Sequence, residues 1–265
     1  MARVIIVGAG LFGSVAAKLA QQTGHQVTVV DNSEPLRASA AAGCVLKPSW
    51  LSSIPKEESA AGIQLLDQLY GLRPLLFRSP LGVQIAASHV APQLVLNHKP
   101  VNARVARVTA QGVVLSTGKK LPGKVLVAAG VWSRALCPEI PEIKSLVGAS
   151  FRFPRKGLEP RLKVWAPYRQ AVAFQITPTQ VWFGDGTSIL EKNWTNDYVV
   201  SSAMRAQQLF NLTGGKPTVG ARPVVAGFKA GYFKRLSPTC WVSTGGAKNG
   251  IVLAAVQAIK WMEDL

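Results

Sequence analysis

The hydrophobic pattern of the chain begins with an apolar run from Val4 to Val7, which with Arg3 before it predicts a buried strand over 3–7. A glycine-rich turn follows at Gly8-Ala-Gly-Leu-Phe-Gly13. Residues 14–22 then place Val15 and Leu19 among alanines, predicting a helix, and 25–30 reads as a second strand ending at Asp31. The chain thus opens β-α-β. Small residues run from Ser39 to Gly43, and Pro48 and Pro55 bound a loop. At 57–72, Ile63, Leu66 and Leu69, flanked by Leu65 and Tyr70, recur at helical spacing. Residues 77–87 alternate around Pro80-Leu-Gly82 like a short hairpin.

Further on, 105–108, 113–116 and 124–127 predict a meander of strands separated by Gly112 and by Thr117-Gly118, and Ala128-Ala-Gly130 closes it. More strands are expected between Gly148 and Gly186, including 171–176 and 181–184. A helix at 197–212, a late strand at 241–244 and a closing helix at 251–265 complete the pattern, with no internal repeat. The expected fold class is α/β: a Rossmann-like dinucleotide domain interleaved with a smaller, mainly antiparallel sheet domain. The first would comprise residues 1–53, 88–141 and 218–265, and the second 54–87 and 142–217.

Gly8, Gly10 and Gly13 satisfy GxGxxG in the context that gives the motif meaning, with a strand before it and a helix after it. Such glycines permit the tight turn, the approach of backbone to a diphosphate, and close packing of helix on strand. Asp31 stands where an acid accepts hydrogen bonds from ribose hydroxyls and disfavours a 2′-phosphate, which leaves NAD or FAD.

Composition changes this picture in one respect. Thirty Lys+Arg against thirteen Asp+Glu give a formal charge of +17. Self-repulsion of that size is costly for a compact fold, and a polyanionic partner such as nucleic acid would offset it. Arg152, Arg155, Lys156, Arg161, Lys163 and Arg169 crowd into 151–169, with Trp165 and Tyr168 between them as candidate base-stacking rings. Arg104, Arg107, Lys119, Lys120 and Lys124 add a second basic stretch. Cys44, Cys137 and Cys240 are scattered and fit reduced thiols in a cytoplasmic protein. His25, His89 and His98 have no metal-ligand spacing, so no metal is expected. No apolar stretch has membrane-spanning length, and glycines interrupt the opening run before it could serve as a signal peptide, so no membrane association is expected.

Four further segments carry a resemblance. Arg37-Ala-Ser-Ala-Ala-Ala-Gly43 and Val127-Ala-Ala-Gly-Val-Trp-Ser133 resemble flavin-domain motifs of the D-amino acid oxidase/glycine oxidase family. Gly220-Ala-Arg-Pro223 and Thr244-Gly-Gly-Ala-Lys-Asn-Gly-Ile251 resemble that family's substrate-arginine element and C-terminal flavin motif. The resemblance implies FAD as cofactor. It implies contacts from Gly8, Gly10, Leu11, Phe12, Gly13, Asp31, Asn32, Ser39, Ala42, Gly43, Val105, Ala129, Gly130 and Trp132. Gly246, Ala247, Lys248, Asn249, Gly250 and Ile251 would meet the isoalloxazine end. Arg222 would grip a substrate carboxylate, and Lys248 would stand near the ring as a second catalytic candidate. Cys44, beside Gly43, is a conceivable point of covalent flavin attachment but reads better as a buried space-filling thiol.

The chain departs from the family at Gly246, where a histidine is usual, and at Lys248, where arginine is common. An acid usually found after Arg-Pro is missing around Ala226-Gly227, and the chain is short in the presumed substrate half. Its brevity and charge resemble the family's nucleic-acid-modifying branch, which acts on glycine-substituted pyrimidines in tRNA or in bacteriophage DNA. The activity then implied is FAD-dependent oxidation of the C–N bond of a glycine-type secondary amine on thymine or uracil, with modified DNA or tRNA as partner. The other expectations are an oxidase of a free amino acid or small amine such as glycine or sarcosine, and a flavin-binding module without catalysis.

Overall fold

The computed structural model describes every residue except Pro80, His98 and Tyr168. One residue of the expected hairpin's tip, one of the three histidines and one of the two candidate stacking rings therefore lie outside the described residues.

A six-stranded sheet runs in the order Tyr232–Ser237, Cys240–Thr244, Lys124–Val127, Arg3–Val7, Gln26–Asp31, Val101–Asn102. All neighbours are parallel except the first pair. Side-chain alternation sends Val4, Ile6, Leu126 and Trp241 toward one face and Ile5, Val7, Val125, Val127 and Val242 toward the other. Both faces are covered, which is why these strands read as apolar runs without polar alternation. Helices Leu11–Gln22 and Gly250–Asp264 cover the first face. A three-stranded antiparallel sheet, Val105–Thr109, Gly112–Leu115 and Lys120–Pro122, covers the second through Val105, Val113 and Leu115. The expected meander thus divides. Its last strand, Lys124–Val127, leaves the hairpins and pairs with Arg3–Val7, because Val125, Leu126 and Val127 are apolar on both faces.

The second layer is a nine-stranded sheet, ordered Ile189–Leu190, Ile143–Pro154, Gln180–Gly184, Arg169–Thr177, Arg161–Ala166, Arg73–Arg78, Gln84–His89, Val45–Leu46. Lys216–Val225 also pairs along Ile143–Pro154, from Ile143↔Val225 to Arg152↔Lys216. Neighbours are antiparallel apart from the single parallel bridge Arg161↔Arg78. Helix Asp197–Phe210 packs Ala206 and Phe210 onto Phe151, Phe153 and Phe183 on one face, and Phe77, Leu162 and Phe174 fill the other. The fold class is therefore the expected one, α/β with an additional antiparallel sheet.

Three segments cross the boundaries drawn from sequence. Helix Lys56–Tyr70 buries Leu65, Leu66 and Leu69 in the same core as Val252 and Val256 of the closing helix, so it packs with the dinucleotide layer. Val45–Leu46 and Lys216–Val225 belong to the large sheet. Helix Leu11–Gln22 starts earlier than the apolar pattern suggests, directly at the glycine motif. The strands at Arg73–Arg78 and Gln84–His89 make a longer hairpin than the pattern at 77–87 implies. No helix among the described residues is long and apolar enough to cross a membrane.

His89 lies in the core of the large sheet at 2% exposure, its ring centroid 5.0 Å from that of Phe174, and its Nε2 has no partner among the described residues. Burial, reinforced by the Arg73 guanidinium, pushes its pKa down from 6.5 to about 4. The folded state therefore keeps this ring neutral where the unfolded chain takes up a proton. The resulting stability is present in full above pH 6.5 and is lost as pH falls toward 4, by at most about 3 kcal/mol. Urea unfolding of His89→Leu at pH 7 and pH 4.5 is expected to show a smaller acid-induced fall in midpoint than the parent protein. An equal fall in both would assign the acid sensitivity elsewhere.

Candidate functional site

The C-terminal ends of Arg3–Val7, Gln26–Asp31 and Lys124–Val127 open on a cavity of about 1290 Å³ that continues beneath the large sheet. Such a crevice is where open parallel sheets bind ligands, and its volume exceeds what one drug-sized ligand occupies.

At one end stands the glycine turn. Gly8 N–H donates to Val30 O at 2.8 Å, which ties the turn to the neighbouring strand. A Cβ on Gly13 would overlap Gly8 O, so only glycine lets helix Leu11–Gln22 begin this close to the strand. That helix points its N-terminus at the cavity, where free N–H groups and the positive end of its dipole suit a diphosphate. Ser39 Oγ accepts from Leu11 N–H at 2.8 Å, which brings the small-residue segment onto the same turn.

Asp31 is fixed by Ala9 N–H on Oδ2 at 2.6 Å, by Ser33 N–H on Oδ1 at 2.6 Å, and by an ion pair with Arg37. The carboxylate thus stands at the end of its strand and lines the cavity. The arginine over it, which also lines the cavity, was not anticipated. Asn32, Ala42, Gly43, Val105, Ala129, Gly130 and Trp132 line the same cavity with Gly8, Gly10, Leu11 and Phe12. Gly13 does not, and its role is to seat the helix.

Gly246, Ala247, Lys248, Asn249, Gly250 and Ile251 form another wall, at the N-terminus of helix Gly250–Asp264. Ala247 N–H donates to Pro223 O at 3.3 Å, which holds this loop beside the Arg-Pro element. Asn249 Nδ2 donates to Ser53 Oγ at 3.2 Å. Lys248 is exposed at the cavity rim. Cys44 is buried, and burial pushes its thiol up to about 12, with Arg152 pulling the other way. A thiol that holds its proton so firmly is a poor nucleophile, which fits the space-filling reading.

Arg222 sits on Lys216–Val225, where that strand pairs with Leu146. Its guanidinium reaches into the cavity and donates from Nη1 to Ser188 Oγ at 3.2 Å. Burial pulls its pKa down while Asp185 pulls it up. Asp185, only 1% exposed, is committed elsewhere: Arg205 Nε donates to its Oδ2 at 2.7 Å. Among the described residues Arg222 therefore has no carboxylate partner. An enclosed guanidinium in that state is a receptor for an anion brought by a ligand.

Trp182 was not anticipated. Gly43 and Gly184 lie against its ring: a Cβ on Gly43 would come within 3.0 Å of it and one on Gly184 closer still. The indole lines the cavity, tilts against Phe174 at 5.4 Å, and keeps a buried Nε1 without a partner among the described residues. Glycine on both sides was the available signal, but the two lie far apart in sequence.

The basic run does not form one surface. Arg152 donates to Ala40 O at 3.1 Å, and Lys163 Nζ lies 5.7 Å from the Phe210 ring centroid. Arg169 lines the cavity and donates to Gly186 O at 3.2 Å. Arg155, Lys156 and Arg161 remain exposed, with Arg155 donating to Asn211 O at 2.9 Å. Trp165 is not a free stacking platform, because its Nε1 donates to Asp185 O at 3.0 Å and Arg205 covers its ring at 4.4 Å. Of the second stretch, Arg104 lines the cavity and is exposed, as are Arg107, Lys119 and Lys120, while Lys124 turns to the C-terminal Leu265.

Residues 6–41 match the model of an NAD(P)-binding Rossmann-like domain. No curated protein matches the sequence. Among solved structures, the fold is similar to glycine oxidase from Bacillus cereus ATCC 14579, with a TM-score of 0.74 and 19% identity over 100% of this chain and 94% of that one. Iminodiacetate oxidase from Chelativorans sp. BNC1 aligns with a TM-score of 0.67 and 16% identity, covering 97% of this chain and 93% of the other. The fructosamine oxidase Amadoriase II from Aspergillus fumigatus aligns with a TM-score of 0.70 and 12% identity, covering 100% and 86%. At these identities the shared property is the fold. The chain has the two-layer architecture of these oxidases, with its cavity between a Rossmann-like layer and an antiparallel sheet.

Proposed function

We propose that the protein is an FAD-dependent oxidoreductase that oxidises the C–N bond of a glycine-type secondary amine. The observation that carries this reading is Arg222, a cation without a carboxylate partner among the described residues that reaches into the same cavity as the dinucleotide turn. The residues present fit the cofactor. The turn at Gly8–Gly13 suits its diphosphate, Asp31 its ribose, and the loop at Gly246–Ile251, backed by the N-terminus of a 15-residue helix, the electron-rich edge of a flavin. Bound FAD supplies the acceptor for the hydride equivalent leaving the substrate's α-carbon. The protein's own part is orientation: Arg222 fixes the glycine carboxylate in bidentate geometry, and Trp182 and the large sheet shield the site from bulk water. The oxidised substrate is an imine, and water adds to it to release glyoxylate and the shortened amine.

The substrate we propose is a glycine attached through nitrogen to the methyl carbon of thymine in DNA or, second, to the 5-methylene carbon of a modified uracil in tRNA. The products are a 5-aminomethyl base and glyoxylate. The charge of +17 favours a polyanionic partner, and Arg155, Lys156 and Arg161 with Arg107, Lys119 and Lys120 leave exposed cations to meet it. The modified base would leave the stack to reach a site enclosed between two layers.

The second reading, oxidation of a free glycine-type amine, is favoured by the internal use of Arg152, Lys163, Arg169 and Trp165, which weakens the case for a nucleic-acid face. Mass spectrometry of nucleosides from glycinyl-thymine DNA treated with the flavin-loaded protein tests the choice. Formation of 5-aminomethyl base with glyoxylate, falling steeply as salt rises, is expected. Salt-insensitive turnover of free glycine or sarcosine with no change in modified DNA would establish the second reading instead.

A further inference from the structure

We infer that the cavity takes a substrate with two anionic groups: the glycine carboxylate at Arg222 and a second anion at Arg169 and Gln170. The inference rests on the glycine-type reading of Arg222 and adds a second anchor to it.

Charge balance points there first. Six cationic side chains line the cavity against two acids, Asp31 and Glu34, and one of the six, Arg37, is taken by Asp31. Arg104, Lys229 and Lys248 are exposed and solvated, which leaves Arg169 and Arg222 as two enclosed cations where a single carboxylate would answer one.

Geometry places the excess. Arg169 donates to Gly186 O at 3.2 Å and Arg222 to Ser188 Oγ at 3.2 Å, so both grip one short segment. Their anchor residues are two positions apart, within about 7 Å along the chain. Asp185, which opens the segment, does not neutralise them, since Arg205 and Thr187 N–H hold its carboxylate.

Lys47 supplies the third part. It is 5% exposed, faces the Trp50 ring at 5.2 Å, and donates to Gln170 Oε1 at 3.3 Å, with no carboxylate partner among the described residues. Its contact settles the orientation of the Gln170 amide. Oε1 faces the ammonium, so Nε2 is the end left to donate to a ligand, and Gln170 lines the cavity. Lys47 is thus a positioning residue. A buried ammonium without a counter-ion is unfavourable, and an anion received by Gln170 and Arg169 compensates it.

The second anion has two sources, a carboxylate of a small diacid or the phosphate of a nucleotide. Thiodiacetate and (methylthio)acetate are matched probes that carry two carboxylates and one, with sulfur in place of the oxidisable amine. Titrated into the flavin-loaded protein and followed by the flavin absorbance, thiodiacetate is expected to bind at least tenfold more tightly. Arg169→Leu and Gln170→Leu should each reduce that ratio below threefold, and Lys47→Met should do the same through the freed amide. Flavin absorbance of each variant reports whether it has folded, and the ratio, not either Kd alone, is the readout. A parallel titration compares 5-(carboxymethylthiomethyl)deoxyuridine, with sulfur in place of the oxidisable amine, with its 5′-monophosphate. Preference for the diacid identifies a carboxylate source, and preference for the monophosphate a phosphate source. Equal affinities within both pairs, or ratios unmoved in all three variants, would overturn the inference. Because the thioethers are never oxidised, the result stands apart from whether the protein oxidises any amine.

Discussion

Arg222→Ala is expected to lower kcat/KM for a glycine-type amine by at least about thirtyfold, while the purified protein retains its full complement of flavin. Removing one partner of an enclosed charge-assisted contact costs about 2–5 kcal/mol, and each 1.4 kcal/mol is tenfold in rate. The loss should fall on kcat as well as KM, because the carboxylate contact sets the angle at which the α-carbon meets the acceptor. Arg222→Lys keeps the charge and loses the planar fork, so its activity should lie between parent and alanine variant. Stability gives an independent check. Among the described residues Arg222 has a serine hydroxyl and no carboxylate to hold it, so its removal deletes an unfavourable burial and should leave Tm unchanged or raised. Arg205 is its counter-example, since losing that residue strands Asp185, which is 1% exposed. Unchanged turnover in Arg222→Ala would remove the carboxylate clamp and with it the case for an amino-acid-like substrate.

The residues legible in the sequence are those whose chemistry is local. Gly8, Gly10, Gly13 and Asp31 lie within one strand–turn–helix–strand unit, and their spacing carries their role with no knowledge of the rest of the chain. Arg222 and the loop at Gly246–Ile251 were accessible through resemblance, because each sits in a short motif. What escaped was assembled across the fold. Lys47 meets Gln170 from 123 positions away, and Trp182 lies between Gly43 and Gly184. No window of sequence contains either arrangement. The basic run at 151–169 failed for a related reason. Its residues span the end of one strand, a connecting segment, a second strand and the start of a third, with a register shift between Val164 and Ala166. Side chains that are neighbours in sequence therefore turn to the helix, to the loop and to the cavity. Helix Lys56–Tyr70 is legible as a helix, but the layer it packs on is not, since an apolar stripe states that a partner exists without saying which.

Gly13→Ala is expected to yield protein that purifies without flavin, or binds it at least a hundredfold more weakly, and that unfolds more readily by at least about 3 kcal/mol. The added Cβ would overlap Gly8 O and come within 3.1 Å of Ile6 Cγ2. Neither neighbour can yield. Gly8 is pinned by its N–H to Val30 O at 2.8 Å, and Ile6 is fully buried between the sheet and its helices. The helix must lift from the strand instead, carrying its first-turn N–H groups away from the place where a diphosphate would lie. Gly24→Ala provides the comparison within the same β-α-β unit. Its backbone, unlike that of Gly13, is in the left-handed region, at φ +84°, but the added Cβ meets only Met1 Cε at 3.4 Å. That variant should lose about 1 kcal/mol of stability and stay yellow. If Gly13→Ala retained flavin as Gly24→Ala does, the close seating of helix on strand would be irrelevant to cofactor binding. The positive end of that helix could then no longer serve as the diphosphate site on which the proposed chemistry depends.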